Sequence, residues 1–267
     1  MKYLLSQLSR RILQQCAHEP TLCAFDFDGT LSPIVAHPSH AHMRVRTRRL
    51  LATLAALYPC VVISGRSRRD LLTRLDGVKV AGTIGNHGAE TGETVTPSRN
   101  LIDQWKISME REFAAVPGLW IEDKGLSLSV HYRQSRFKSE LRRRITHAAR
   151  QLQGVRVFGG KEVVNLVPAG EPNKGEALAH ERNRLACVHV IYVGDDENDE
   201  DAFAMSGNII SVRIGRERKS RANYYLRTQK EIDLLLEQLI SLRQSDVKTK
   251  VTSAPGPGGS VRRRVFL

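Results

Sequence analysis

Thr21-Leu22-Cys23-Ala24-Phe25-Asp26-Phe27-Asp28-Gly29-Thr30, or TLCAFDFDGT, decides how this chain is read. Leu22 to Phe25 is an apolar run too short for a helix and broken by a turn at Gly29, which predicts a buried strand. C-terminal to it, Leu50, Leu51, Leu54, Ala55 and Leu57 mark a helix stopped by Pro59. CVVIS (60–64) is a second strand ended by Gly65, residues 67–75 a short helix, and VAGTIG (80–85) a third strand. This β-α-β-α-β alternation predicts an α/β fold, a doubly wound, Rossmann-like parallel sheet. On the N-terminal side, Leu4, Leu5, Leu8, Ile12 and Leu13 recur at helical spacing. Gln7 and Arg10-Arg11 interrupt that stretch and no small-residue cleavage site follows, so it reads as an amphipathic helix rather than a signal peptide.

The pattern changes near residue 98. Leu101, Trp105, Met109 and Phe113 predict a helix over 101–116, and LWIEDKGLSLSVHY alternates like a half-exposed hairpin. A helix over 137–152 and two strands, VRVF and VVNLV, follow. This block reads as a small α/β cap inserted into the sheet domain. The α/β pattern then resumes with a helix over 174–185, the strand VHVIYVG (188–194), a helix over 199–206, the strand IISVRI (209–214) and a last leucine-rich helix. The expected organisation is a core from 1–98 and 170–245, a cap over 99–169, and a Pro/Gly/Ser-rich flexible tail over 246–267.

Composition narrows the function classes. Forty-one Lys+Arg against 28 Asp+Glu give a net charge of +13, which raises nucleic acid or another polyanion as a partner. No zinc finger, RNP motif or helix-turn-helix accompanies that charge, and aromatics are only 6%. Basic groups concentrate at 42–49, 136–150 and 262–264, which reads as solubilising charge, so no nucleic-acid partner is expected. Cys16, Cys23, Cys60 and Cys187 form no C-x-x-C pair and read as buried reduced thiols, which with the absent signal peptide points to the cytoplasm. No run of 18 apolar residues exists, so no membrane span is expected.

Acidic residues fall at the C-terminal ends of the predicted strands, the edge where open parallel sheets bind ligands. Asp26 and Asp28, two residues apart as the chain leaves a strand, can project into one crevice. Gly29-Thr30 allows a tight turn with N–H groups suited to an anion. Asp195-Asp196-Glu197-Asn198-Asp199-Glu200-Asp201 places six carboxylates in seven residues. Alone, that run reads equally as a solvated helix start favoured by the helix dipole. Paired with the first cluster, it points to a hard cation, Mg²⁺ before Ca²⁺ or Zn²⁺. Ser64-Gly65-Arg66 could bind phosphate at a helix N-terminus, or Ser64 could be a plain N-cap. Lys174, at the start of a helix, could neutralise both a phosphate and a nucleophilic carboxylate.

DFDGT, SGR, a lysine opening a helix and GDDENDED, in that order, resemble the haloacid dehalogenase-like superfamily of aspartate-nucleophile phosphatases. GNHGAE (85–90), Glu122-Asp123-Lys124 and SVHYR (129–133) resemble the trehalose-6-phosphate phosphatase family within it. The resemblance implies Mg²⁺-dependent hydrolysis of trehalose 6-phosphate to trehalose and phosphate, in trehalose biosynthesis. Asp26 would be the nucleophile and Asp28 the acid and base. Mg²⁺ would be held by Asp26, the Asp28 carbonyl and Asp195, with Asp199 and Asp196 behind them orienting metal-bound water or Lys174. Ser64, Gly65 and Lys174 would bind the phosphoryl group, and Glu122, Lys124, Asn165, Arg133 and His87 would face the sugar. The chain would act as a monomer on a small sugar phosphate.

One position departs from the family. Asn165 stands in V-V-N-L-V-P where the family carries a glutamate, which leaves open another glycosyl phosphate on the same scaffold. Asn198 also stands where the family often has threonine.

Overall fold

The structure, a computed structural model, describes residues 1–91 and 99–252. The boundary expected at residue 98 and the tail beyond 252 lie outside the described residues. The core sheet has seven strands: β1 (Lys2–Tyr3), β2 (Thr21–Phe25), β3 (Cys60–Ile63), β4 (Gly82–Ile84), β9 (His189–Gly194), β10 (Ile209–Ile214) and β11 (Tyr224–Leu226). Between β4 and β9 come β5 (Trp120–Asp123), β6 (Leu128–His131), β7 (Val155–Gly160) and β8 (Val163–Pro168), which form a separate four-stranded sheet. The helices are α1 (Gln7–His18), α2 (Val45–Ala55), α3 (Arg68–Leu75), α4 (Arg99–Phe113), α5 (Lys138–Arg150), α6 (Lys174–Arg184), α7 (Glu200–Phe203) and α8 (Ile232–Thr252).

The core sheet runs β1-β11-β10-β9-β2-β3-β4 with all neighbours parallel. Its central strands are apolar throughout because both faces are covered. In β2, Cys23 and Phe25 join the cluster built with α1, α2, α3 and α8. Leu22 and Ala24 join the opposite cluster with Ala177 and Leu178 of α6 and Phe203 of α7. Ile191 and Val193 of β9 likewise face the first cluster, and Val190 and Tyr192 the second. Burying a side chain such as Phe25 stabilises by about 2 kcal/mol. From β2 the chain winds outward through β3 and β4, and from β9 it winds the other way through β10 and β11. The order reverses between β2 and β9, where a doubly wound sheet opens a crevice for ligands.

The antiparallel sheet β5-β6-β8-β7 packs against α4 and α5 through Ile102, Trp105, Met109, Phe113, Leu141 and Ile145. Trp105, Met109, Phe113, Leu141 and Ile145 lie on the stripes the sequence indicates for two helices, whereas Ile102 is buried and the expected Leu101 only partly so. Elsewhere the structure departs from the sequence pattern. Leu4 is buried ahead of α1, whereas Leu8 within it is 91% exposed, so the stripe read across 4–13 is not one helix face. The helix expected over 199–206 is a single α-turn behind a 3₁₀ turn at Glu197–Asp199, and α8 continues to Thr252, past the expected start of the tail at 246. All four cysteines are buried and unbridged. Among the described residues no helix is long and apolar enough to cross a membrane.

Candidate active site

The pairing Phe25↔Val193 delivers Asp26 and Asp195 side by side as β2 and β9 end. The Asp26 amide donates to the Val193 carbonyl at 2.8 Å. Gly29 turns the loop after β2 with φ +89°, and a Cβ there would lie 1.9 Å from Asp195 Oδ2. Glycine is therefore required twice, for the left-handed turn and for the approach of Asp195. Lys174 is the first residue of α6, whose N-terminus is closed by a capping box between Asn173 and Glu176. Its Nζ donates to Asp26 Oδ1 and to Asp199 Oδ1, both at 2.7 Å. Asp199 is otherwise committed: Oδ1 also accepts from Tyr192 Oη, and Oδ2 accepts from the amides of Asp195 and Asp196.

One oxygen from each of Asp26, Asp195 and Asp199 lies within 4.8 Å of the others, and all three residues are buried. Asp195 Oδ2 meets the Lys161 ammonium, while its Oδ1 is buried with no hydrogen-bond partner. An orphaned carboxylate oxygen among oxygen-only donors fits a hard divalent cation. The electrostatics agree. Burial pushes Asp26 well above the usual carboxylate range despite Lys174, with Asp199 and Asp195 adding to the rise. Burial likewise pushes Asp195 up to about 7 against the pull of Lys161. Burial opposes the charge on Lys174, but Asp199 and Asp26 hold it above the ordinary lysine value. Asp199 stays below its ordinary value because Lys174 outweighs its burial. Three buried carboxylates share two ammonium groups, so the cluster is short of positive charge.

Asp28 points into the same crevice. Arg66 Nε and Nη2 grip its two oxygens at 2.7 Å each, while Arg66 Nη1 holds Asp70 at 2.6 Å. Ser64 directly follows β3, buried, with its hydroxyl accepting from the Arg66 amide at 3.3 Å. The N-cap of α3 is Ser67, not Ser64, so the plain-cap reading of Ser64 does not hold. Gly65 leaves room for the His87 ring, whose Cε1 would stand 2.3 Å from a Cβ. His87 is buried edge-on against Phe158, and burial with Lys124 and Lys174 nearby keeps it well below the usual histidine value, hence neutral.

The antiparallel sheet roofs this pocket. On the core side it is lined by Asp26, Asp28, Ser64, Gly65, His87, Asp195 and Asp196, and on the roof by Glu122, Lys124, Arg133, Lys161 and Asn165. Lys174 and Asp199 lie beneath the floor. Asn165 Oδ1 accepts from Ser129 at 2.7 Å. Arg133 is engaged by protein groups, donating to the Val35 carbonyl, Glu162 and the Lys161 carbonyl. Asp196 accepts from the Lys161 amide at 3.1 Å and caps the 3₁₀ turn.

Glu122 accepts from His131 Nε2 at 2.9 Å and faces Lys124 Nζ at 3.7 Å, and His131 stacks on Trp120 at 4.0 Å. Burial alone would raise Glu122, but the His131 hydrogen bond and Lys124 draw it from 4.5 to about 2. A depressed carboxylate contributes stability in full above its unfolded value and loses it as pH falls toward the folded one. Glu122→Gln should therefore flatten the acid limb of the stability curve. Urea midpoints should fall less in the variant than in the native protein between about pH 5 and about pH 3. Parallel curves would show that Glu122 carries no such linkage.

Three partnerships escaped the sequence reading. Arg66 on Asp28 had a signal in SGR. Lys161 on Asp195, and Ser127 Oγ donating to Asn86 Oδ1 at 2.6 Å, join elements far apart in the chain and had none.

A parallel sheet with carboxylates at its switch point beneath an antiparallel cap is a fold this chain shares with a solved phosphatase of the haloacid dehalogenase superfamily from Bacteroides thetaiotaomicron, at a TM-score of 0.60 and 16% identity over 84% of this chain and 96% of that one. The chain superposes on the C-terminal domain of Candida albicans trehalose-6-phosphate phosphatase with a TM-score of 0.75 at 22% identity, covering 87% of this chain and 97% of that one. A trehalose-6-phosphate phosphatase related protein matches with a TM-score of 0.69 at 25% identity, over 84% of this chain and 99% of the other. The trehalose-phosphatase family model matches residues 24–230, and the chain belongs to that family. Trehalose-phosphate phosphatase of Mycobacterium ulcerans is 32% identical over 208 residues, 71% of this chain and 53% of the relative. A probable trehalose-phosphate phosphatase E of Arabidopsis thaliana is 27% identical over 88% of this chain and 74% of its own length. The chain thus spans about half the length of the mycobacterial relative.

Proposed function

We propose that the protein is a Mg²⁺-dependent phosphatase that hydrolyses trehalose 6-phosphate to trehalose and phosphate through an aspartyl-phosphate. The reading rests above all on Lys174, buried and bonded to both Asp26 and Asp199 beside the orphaned oxygen of Asp195. Asp26, Asp195 and the Asp28 backbone carbonyl would hold the ion. Bound there, Mg²⁺ supplies charge that offsets repulsion between a carboxylate nucleophile and an anionic phosphate.

The remaining work falls to the chain. An Asp26 oxygen attacks phosphorus as the bond to the sugar oxygen breaks, and Asp28 gives that oxygen a proton. Water then attacks the phosphorylated Asp26, Asp28 takes its proton, and phosphate leaves with the Asp26 carboxylate restored. Arg66 fixes the direction of Asp28, Lys174 neutralises the phosphoryl group, and Ser64 with the Gly65 backbone binds its oxygens. Asp199 positions Lys174. Residues 99–169 act as a cap on a core formed by 1–98 and 170–245. From the cap, Glu122 and Lys124 meet sugar hydroxyls, Asn165 reads a further hydroxyl without bringing charge, and Arg133 closes the pocket opposite His87 of the core.

Phosphate release with Mg²⁺ from a panel of sugar phosphates tests the reading. Trehalose 6-phosphate should be preferred over glucose 6-phosphate by at least about 100-fold in kcat/KM, since a wrong sugar leaves buried polar groups unpaired. Equal rates would leave the phosphatase chemistry standing but remove trehalose 6-phosphate as the substrate. Asn165 favours testing other glycosyl phosphates in the same panel.

A further inference from the structure

Two ends of the cap sheet touch the core in different ways. The β5–β6 and β7–β8 turns lie at opposite ends of the sheet, because Asp123 pairs with Leu128 at one end while His131 pairs with Val163 at the other. At the first end, Ser127 bonds Asn86 through a neutral, buried contact. At the second, the turn Lys161-Glu162 sits on the acidic loop. The Lys161 ammonium meets Asp195 Oδ2, its amide donates to Asp196 Oδ2, and Arg142 of α5 pairs with Glu197 at 2.9 Å. The approach is built in, because a Cβ on Gly160 would stand 2.8 Å from Asp196 Oδ2.

Lys174 is bound to Asp26 and Asp199, which leaves Asp195 to Lys161. Asp195 is also the residue with the orphaned oxygen that fits a cation. An ammonium and a divalent cation on the two oxygens of one buried carboxylate repel each other strongly in a medium of low dielectric. We infer that Lys161 is the cap's own counter-ion for Asp195 and that it competes with the metal ion, so that metal binding loosens the β7–β8 end of the cap. The inference rests on the proposed metal site. Coupling between two binding events is reciprocal: whatever Lys161 takes from metal affinity, the metal takes from cap docking.

The test reads binding and hydrogen exchange rather than turnover, using the full chain. Calorimetric titration with Mg²⁺ should show Lys161→Gln binding about tenfold more tightly than the native protein, within the usual range of such couplings. In the native protein, Mg²⁺ should speed amide exchange over residues 159–163, where the Lys161 amide reports the bond to Asp196. Exchange at Ser127 should not change. Arg142→Gln weakens the neighbouring latch but keeps the Lys161 ammonium, so it should loosen the turn and raise Mg²⁺ affinity by much less than Lys161→Gln does. Equal affinities in the native protein and Lys161→Gln would overturn the inference while leaving the metal site intact. An equal gain in Arg142→Gln would overturn it too, by assigning the effect to cap opening. If the native protein binds no Mg²⁺ at all, the functional reading fails and the inference with it.

Discussion

Asp26→Asn should reduce phosphate release from trehalose 6-phosphate by more than about 10⁴-fold, the scale on which removing a covalent nucleophile acts. The substitution is nearly isosteric, and the side-chain oxygen can still accept from Lys174, so the change removes nucleophilicity with little change in shape. It also removes one of three carboxylates that share two ammonium groups, which relieves repulsion in the cluster. The variant should therefore melt no lower than the native protein. Loss of activity alone would not separate a nucleophile from a metal ligand, because Asp26 lies among Asp195 and Asp199. Acid quenching during turnover separates the two roles. The native protein should yield a phosphorylated peptide covering 21–30 with the label on Asp26, and the variant none. Label on Asp28 instead, or more than about 1% residual activity in the variant, would reverse the assignment of nucleophile and acid.

The parts legible in the sequence are those written in local patterns. The apolar run 22–25, followed at once by two aspartates, carries both a central strand and its functional end. The continuous apolar run 190–193 gives its neighbour, since a strand covered on both faces needs no polar alternation. The order of the motifs then implies the switch point. What stayed hidden depends on contacts across the fold. By its spacing the acidic run 195–201 reads as a single cation-binding feature, and only the family resemblance sets Asp199 and Asp196 behind Asp195; the structure divides the work further. Asp195 faces the cluster, Asp199 anchors Lys174 and the loop amides, and Asp196 and Glu197 receive the cap. Nothing in the spacing of the run distinguishes these roles. The net charge of +13 is also redistributed by the fold. Lys138 and Arg142 of the basic helix α5 are paired with Glu162 and Glu197, at the end of the cap that rests on the core. The short strands β1 and β11 are hidden for a different reason: two or three residues carry too little periodicity to register.

Lys174→Met should cost about 3–5 kcal/mol of stability at neutral pH, the penalty for removing one partner from a buried ionic group. Lys174 is 1% exposed and its two carboxylate partners are buried with it, so water cannot replace the lost ammonium. The pH dependence identifies the cause. Asp26 already sits above the usual carboxylate range, and loss of Lys174 pushes both Asp26 and Asp199 higher. A carboxylate with a raised folded value destabilises above that value, and the penalty fades as pH falls through it. The gap in urea midpoints between the variant and the native protein should therefore be widest near neutrality and shrink toward about pH 5. A packing defect would give a gap independent of pH. Adding Asp199→Asn to Lys174→Met removes one unpaired charge and should recover part of the stability, since deleting both members of a buried pair costs less than orphaning one. Activity should not return with it. Both variants should release phosphate at least about 10³-fold more slowly than the native protein, because charge stabilisation of the transferring phosphoryl group is absent in each. A double variant that regained turnover along with stability would show that Lys174 serves the fold and not the reaction.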